Sequence, residues 1–431
     1  MNNTKKVVVS RNVLVPFILI TSLFALWGFA NDITNPMVAA FKTVMEMSNA
    51  KAALIQFAFY GGYATMAIPA ALFVKKYSYK KGILLGLTLY AVGALLFYPA
   101  ARFEMFGFFL VSLYILTFGL AFLETTANPY ILSMGDEETA TRRLNLAQSF
   151  NPIGSLFGMF VASKFILTSL ESDVRNEAGE LVFETLSAAE KAGIRTHDLA
   201  IIRDPYVMLG FVVILMFVII AFAKMPVRKD ADHTIRAMDS FKRLIKNIKY
   251  REGVIAQVFY VAAQIMSWTF IIQYADNLGI SKATAQNYNI LAMSIFLSSR
   301  FISTFLMKYV NSKKLLTIFA IGGMITMLGT IFIQGMGGLY CLIATSAFMS
   351  LMFPTIYGIA LEGLKDDTTL GAAGLVMAIV GGALMPPLQG SIIDLGTVAG
   401  LPAVNFSFIL PFISFVVIAI YGYRTTKYHR A

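Results

Sequence analysis

The sequence predicts an all-α membrane protein with twelve transmembrane helices, arranged as two pseudo-symmetric six-helix bundles. Three observations carry that expectation. Of 431 residues, 57% are hydrophobic and 14% are charged, against roughly 25% charged in a soluble globular chain. Mean hydropathy is +0.70, so too few charges remain to coat a soluble surface. The apolar residues also fall into long runs, and a helix needs about 20 of them to cross a hydrocarbon core about 30 Å thick. A soluble enzyme is excluded as the leading reading.

Taken in order, the runs are 13–41, 52–74, 81–101, 105–134, 144–170, 204–225, 253–276, 285–309, 314–335, 338–363, 369–394 and 401–423. The first follows Lys5, Lys6 and Arg11, as a signal peptide would. It is too long for one, and the chain continues into further spans. With the N-terminus inside, 25 of the 35 Lys and Arg lie on the cytoplasmic side, 9 outside and 1 within a span. That bias places both termini in the cytoplasm. The net charge of +11 therefore reports orientation and gives no reason to expect a nucleic-acid partner.

The expected organisation is a cytoplasmic N-terminus (1–12), a first bundle (13–225), a cytoplasmic linker (226–252), a second bundle (253–423) and a cytoplasmic C-terminus (424–431). The linker is basic, with Arg228, Lys229, Lys242, Arg243, Lys246 and Lys249. It reads as a helix lying at the headgroups. Residues 171–204 read as the longest external loop, and an acidic one. The bundles echo each other: KYSYKK (76–81) has a counterpart in KYVNSKK (308–314), and Trp27 and Trp268 fall in spans 1 and 7. Such a duplication places a site between the bundles, near the midplane.

Asp32, Glu124 and Arg300 are the charges expected well inside spans, where each costs roughly 2.5–3.5 kcal/mol on insertion scales. Either they form buried pairs or face a water-filled vestibule, or they work. For the carboxylates the work is proton exchange. Desolvation penalises a charged carboxyl, so one in an apolar cleft can hold a proton and release it when the cleft opens. Glu124 and Asn128 share a face of span 4, as Asn145, Gln148 and Asn151 do in span 5. These amides face a cavity or helix 4. A sugar needs amide donors, planar acceptors and an aromatic plate, which Trp27, Trp268, Tyr260 and Gln264 would complete. Ordinary interhelical hydrogen bonding is the competing reading. Pro129, Pro152, Pro354, Pro386, Pro387 and Gly381-Gly382 interrupt spans as hinges or as packing kinks. One cysteine and three histidines offer no disulfide within the chain and no transition-metal cage.

Six stretches together resemble the fucose–galactose–glucose:proton symporter family of the major facilitator superfamily: FALWGFANDITNP (24–36), LIQFAFYGGY (54–63), LETTANPY (123–130), RLNLAQSFNPIG (143–154), AQVFYVAAQIMSW (256–268) and AFMSLMFPTI (347–356). The resemblance runs from about residue 13 to 423. It implies a major facilitator fold that imports a hexose, L-fucose first, with a proton by alternating access. Glu124 matches the family's substrate-binding and proton-coupling glutamate. Gln148 and Asn151 match its sugar-facing amides, Trp27 and Trp268 its aromatics, and Arg300 its span-8 arginine. The family's span-1 aspartate aligns with Asn35, while Asp32 stands one turn earlier. Residues i and i+3 share a face, so Asp32 takes the role by a register shift, or binds sugar while Glu124 alone couples.

The expected function is thus a bacterial inner-membrane monosaccharide:proton symporter. Glu124 and Asp32 form the protonatable pair. Trp27, Asn35, Glu124, Asn128, Gln148, Asn151, Tyr260, Gln264 and Trp268 form the sugar site, and Arg300, Pro129 and Pro354 shape or gate it. Its partners are the monosaccharide and the lipid bilayer, it acts as a monomer, and it needs no cofactor beyond the proton. The alternatives are sodium coupling through a site at Asp32, Thr34 and Asn35, or glucose, galactose or N-acetylglucosamine as substrate. A drug exporter fits the amide stripe poorly, and a non-transporting sensor would bind sugar without moving it. No nucleophile–base pair, metal cluster or phosphate loop suggests an enzyme.

Overall fold

The computed structural model describes residues 8–47, 54–174, 176, 182–226, 237–280, 282–393 and 395–427. Among them the long helices are α1 (Leu14–Val44), α2 (Leu54–Lys76), α3 (Tyr79–Arg102), α4 (Phe106–Ser133), α5 (Glu137–Ser169), α6 (Ala188–Phe222), α7 (Ile248–Asn277), α8 (Lys282–Leu306), α9 (Ser312–Phe332), α10 (Met336–Leu361), α11 (Lys365–Ile393) and α12 (Ala403–Lys427). Eleven are long and apolar enough to cross a membrane. The other, α2, has 23 residues and so extends about 34 Å at about 1.5 Å per residue. A linker helix, Ala237–Lys246, separates the two sets of six, and a two-residue hairpin (Thr397–Val398 with Leu401–Pro402) precedes α12. Helices suit this solvent because they satisfy their own backbone groups.

Within the first six, α1 packs on α5, α3 on α4, α2 on α4 and α6 on α3. Within the second six, α9 packs on α12 and α10, α7 on α12 and α11, and α8 on α10. The halves meet where α2 and α4 lie along α11, α5 along α10, and α5 along α8. Small residues permit the closest crossings. A Cβ at Gly154 of α5 would collide with the Ala25 carbonyl of α1, and one at Gly28 with the Asn151 carbonyl.

Three sequence expectations change. Helix α6 begins at Ala188, so half of the expected 171–204 loop belongs to it. Ser187 starts it with a capping box: its hydroxyl accepts from Glu190 N while Glu190 Oε2 accepts from Ser187 N at 2.9 Å. The polar first turns are tied down by Asp198, which accepts from the backbone of Glu171 and Ser172. Lys191 and Arg195 pair there with Glu46. The Lys191 hydrogen bond, with Arg195 beside it, holds the Glu46 carboxyl below its ordinary value. Second, a further charge joins the three expected inside spans: Arg143 of α5 is fully buried. Its guanidinium donates to the Ile131 and Leu132 carbonyls at the end of α4, to Thr139 Oγ1 and to Val8 O. Carbonyls near a helix end supply most of its acceptors, with Asp136 within electrostatic reach. Third, Pro129 does not interrupt its span, because α4 runs through it.

True breaks occur elsewhere. Helix α5 turns at Ser149 and Phe150, between Ala140–Gln148 and Asn151–Val161. Helix α10 turns at Ser350 and Leu351, and α11 tightens to a 3-10 turn over Ala378–Val380. At the end of the bundle that carries Ser10 and Lys427, the terminal end, the linker helix bridges the halves. Lys75 of α2 donates to Ser240 Oγ at 3.3 Å, and Arg243 grips Asp367 with Nε at 2.8 Å and Nη2 at 2.7 Å. Nearby, Lys249 and Lys313 both pair with Glu362.

Candidate transport site between the two halves

One accessibility break marks the site. From Gly119 to Ile131 every residue of α4 is buried except Glu124. Lipid contact would expose apolar neighbours as well, so a lone accessible carboxylate in such a run opens into an internal cleft. One turn on, Asn128 donates to the Glu124 carbonyl at 3.0 Å and accepts from Gln148 Nε2 at 2.8 Å. From the opposite half, Tyr357 of α10 comes within electrostatic reach of Glu124, its hydroxyl beside Asn128.

The amides of α5 share one face in sequence but serve three helices. Gln148 turns to α4, Asn145 donates to Thr355 Oγ1 of α10 at 3.2 Å, and Asn151 donates to the Phe24 carbonyl of α1 at 3.2 Å. The break between Gln148 and Asn151 redirects the last of them. Asn151 remains partly accessible, whereas Asn128 and Gln148 are buried.

On α1, Asp32 is buried within electrostatic reach of Tyr60 on α2. Trp27 is buried against Phe24, ring centroids 4.9 Å apart. Its indole N–H lies near the Tyr63 hydroxyl without a hydrogen bond of normal geometry. Tyr60 and Tyr63 are one turn apart, so α2 bridges the surroundings of Asp32 and Glu124. Of the postulated sodium ligands, Thr34 has other partners in the structure. Thr34 donates to the Ala30 carbonyl at 2.7 Å and pairs with Tyr206 of α6 at 2.9 Å. The side chain of Asn35 lies outside the described set.

The facing wall comes from α7, α8 and α10. Trp268 and Gln264 of α7 are partly accessible. Trp268 Nε1 donates to Ser346 Oγ at 3.1 Å, and its ring meets Phe296 edge-on at 5.0 Å. Tyr260 is buried beside Gln264 and donates to the Met349 carbonyl at 3.2 Å. Arg300 of α8 stacks over Phe296 at 4.6 Å. Its Nε donates to the Ser350 carbonyl and its Nη1 to the Gln148 carbonyl at 3.1 Å. These two acceptors have one origin. Proline lacks the N–H that would bond the carbonyl four residues earlier, and Pro152 and Pro354 stand four residues after Gln148 and Ser350. Arg300 thus closes two proline-made breaks, one in each half. That gives Pro354 a definite structural place, while Pro129 makes no comparable break.

The structure therefore gathers Glu124, Asn128, Gln148, Asn151, Tyr260, Gln264, Trp268 and Arg300 around one region, with Trp27 and Asp32 alongside α2. Sequence reasoning missed Tyr60, Tyr63, Tyr357 and Ser346. The two α2 tyrosines lie at i and i+3 within LIQFAFYGGY, which was the available signal. Tyr357 and Ser346 carried none.

Comparison with known proteins bears on the family and the fold. The sequence profile of the Major Facilitator Superfamily matches residues 18–386. The chain is 70% identical over 421 residues to the L-fucose-proton symporter of Haemophilus influenzae, covering 97% of this chain and 98% of that one. It is 36% identical to the L-fucose-proton symporter of Escherichia coli, covering 94% of each. The crystal structure of the Major Facilitator Superfamily transporter FucP in the outward conformation superposes with a TM-score of 0.86 at 34% identity, covering 96% of this chain and 99% of the other. On this evidence the chain belongs to the Major Facilitator Superfamily.

Proposed function

We propose that the protein imports a monosaccharide, L-fucose first, together with a proton, by alternating access between residues 13–225 and 253–423. The observation that carries the reading is Glu124: an accessible carboxylate in an otherwise buried stretch of α4, at the seam where Tyr357 enters from the other half. Protonation removes its charge and makes it a hydrogen-bond donor, so its hydrogen bonding to the sugar differs between the two forms. A change confined to one wall of the cleft then biases which end opens. The relatives at 70% and 36% identity are named as L-fucose-proton symporters, which supports both substrate and coupling ion.

Partly accessible Asn151, Gln264 and Trp268 take the sugar hydroxyls and its apolar face. Gln148 and Asn128 orient Glu124, and Trp27 and Tyr260 back them. Asp32 serves as the second protonatable group through Tyr60 and Tyr63. The protein acts as a monomer in a bacterial inner membrane with both termini cytoplasmic. Tyr79 with Thr369, Asn145 with Thr355 and Arg300 with Gln148 tie the halves from the terminal end to the middle. Together with the match to an outward conformation, these ties support an outward-facing state.

The test is uptake into proteoliposomes from a panel of monosaccharides, with pH and sodium gradients imposed separately. L-fucose should accumulate under the pH gradient alone. Failure of every monosaccharide under both gradients overturns the reading, and accumulation under sodium alone replaces the coupling ion.

A further inference from the structure

The linker helix carries two faces that the transport cycle at the cleft does not account for. Ser240 and Leu244 are buried on the inner face, and Arg243, itself largely exposed, holds Asp367. On the opposite face Met238, Phe241 and Ile245 recur at spacings of three and four, one stripe of a helix, and all are between 47% and 65% exposed. Directly beyond the turn at Asn247, Ile248 opens the spanning helix α7, and it and Ile255, two turns on along one face, are exposed as well, so the stripe adjoins an apolar outer face of a membrane-spanning helix. Lys242 and Lys246 border it and are themselves exposed.

From this pattern we propose that the outer face of the linker helix is a docking surface for anionic lipid in the leaflet at the terminal end. Met238, Phe241 and Ile245 enter the acyl boundary, and Lys242 and Lys246 receive the headgroups. The apolar stripe identifies a lipid boundary because it is continuous with the outer face of a membrane-spanning helix. A soluble partner would have no such continuity to exploit. The flanking lysines select the sign of the headgroup, since basic residues beside an amphipathic helix attract anionic lipid within a Debye length of the surface. The inner face of the same helix is fastened to α2 and α11, so the docked segment is held in place and not loosely tethered.

The test uses the full chain in phosphatidylcholine vesicles containing phosphatidylglycerol. A tryptophan introduced by Phe241→Trp reports contact, with the signal of the parent protein subtracted, and Ile245→Trp is the second reporter should the first not assemble. Bromine atoms are carried on the acyl chains of one lipid at a time, at equal mole fraction. Brominated phosphatidylglycerol should quench at least about twofold more strongly than brominated phosphatidylcholine. Adding Lys242→Gln with Lys246→Gln should bring that ratio to about one. No quenching by either lipid overturns the proposal, because water, protein or a second copy then covers the stripe. Equal quenching in the parent background overturns the anionic preference. None of these outcomes depends on which sugar is carried, so this proposal can fail while the transport reading stands.

Discussion

The two walls of the cleft are built from different chemistry. On the first, α1, α2, α4 and α5 bring Asp32, Glu124, two tyrosines and three amides together. The facing wall, from α7, α8 and α10, presents Trp268, Gln264, Tyr260, Tyr357 and the cation Arg300. Asp32 and Glu124 stand on one side and Arg300 on the other, yet among the described residues Arg300 bonds backbone carbonyls and no carboxylate. A direct ion pair across the cleft would favour the ionised form of Glu124 and oppose its protonation. Placing the cation on carbonyls freed by Pro152 and Pro354 satisfies a buried charge and leaves the acid available. The contrast sets an acid-bearing first wall against a second wall whose cation is fixed on backbone carbonyls.

Breaking the acid side should have the largest effect. Glu124→Gln keeps the shape but cannot exchange a proton. Concentrative uptake driven by a pH gradient should fall by about 100-fold, while sugar exchange without a gradient persists, general acid–base groups contributing about that much where a proton must move. Unchanged accumulation would remove Glu124 from the coupling. Asp32→Asn, set beside Asn35→Asp, then shows in the same assay which turn of α1 takes part.

On the opposite wall, Arg300→Met should cost about 2–4 kcal/mol of thermal stability, because two buried carbonyls lose a charged donor. Restoring an N–H with Pro152→Ala in that background should recover part of the loss, which differential scanning fluorimetry would read. No recovery would disprove the link between proline and arginine. Trp268→Phe is smaller again. It keeps the edge contact with Phe296 but loses the bond to Ser346, so sugar affinity by calorimetry should fall about fivefold, or about 1 kcal/mol.

The smallest effect lies outside the cleft. Burial alone pushes Glu362 up, but hydrogen bonds from Lys249 and Lys313 outweigh it and hold the carboxyl below its ordinary value. Its contribution is therefore present above the ordinary glutamate range and is lost as pH falls through the lowered value. With the side chain 36% exposed, solvent screening limits the contribution to about 1 kcal/mol or less. The melting temperature of Glu362→Gln should lie slightly below that of the parent at pH 7 and converge with it in acid.

Much of the fold was readable from apolar run length, because a bilayer imposes one span length on every helix. The start of α6 was not: its polar first turns resemble a loop until Ser187 and Glu190 are seen to cap each other. Arg143 also escaped, since a buried arginine at a span boundary looks like a cytoplasmic one until the end of α4 is seen to curl around it. In the site, Glu124 and the α5 amides stood out because lipid penalises polar groups. Their partners did not, because an interhelical hydrogen bond depends on rotation and crossing, which no local pattern encodes.

By itself, then, the sequence determined twelve spans, the two-bundle plan, the positive bias of one side and the three charges Asp32, Glu124 and Arg300. Each follows from the cost of placing a given side chain in hydrocarbon, a property of single residues and their spacing. Only the tertiary structure decided that Asn145, Gln148 and Asn151 serve different helices, that Thr34 pairs with Tyr206, and that Arg300 answers two prolines in opposite halves. Those are relations between residues 20 to 210 positions apart in the chain, set by how helices cross.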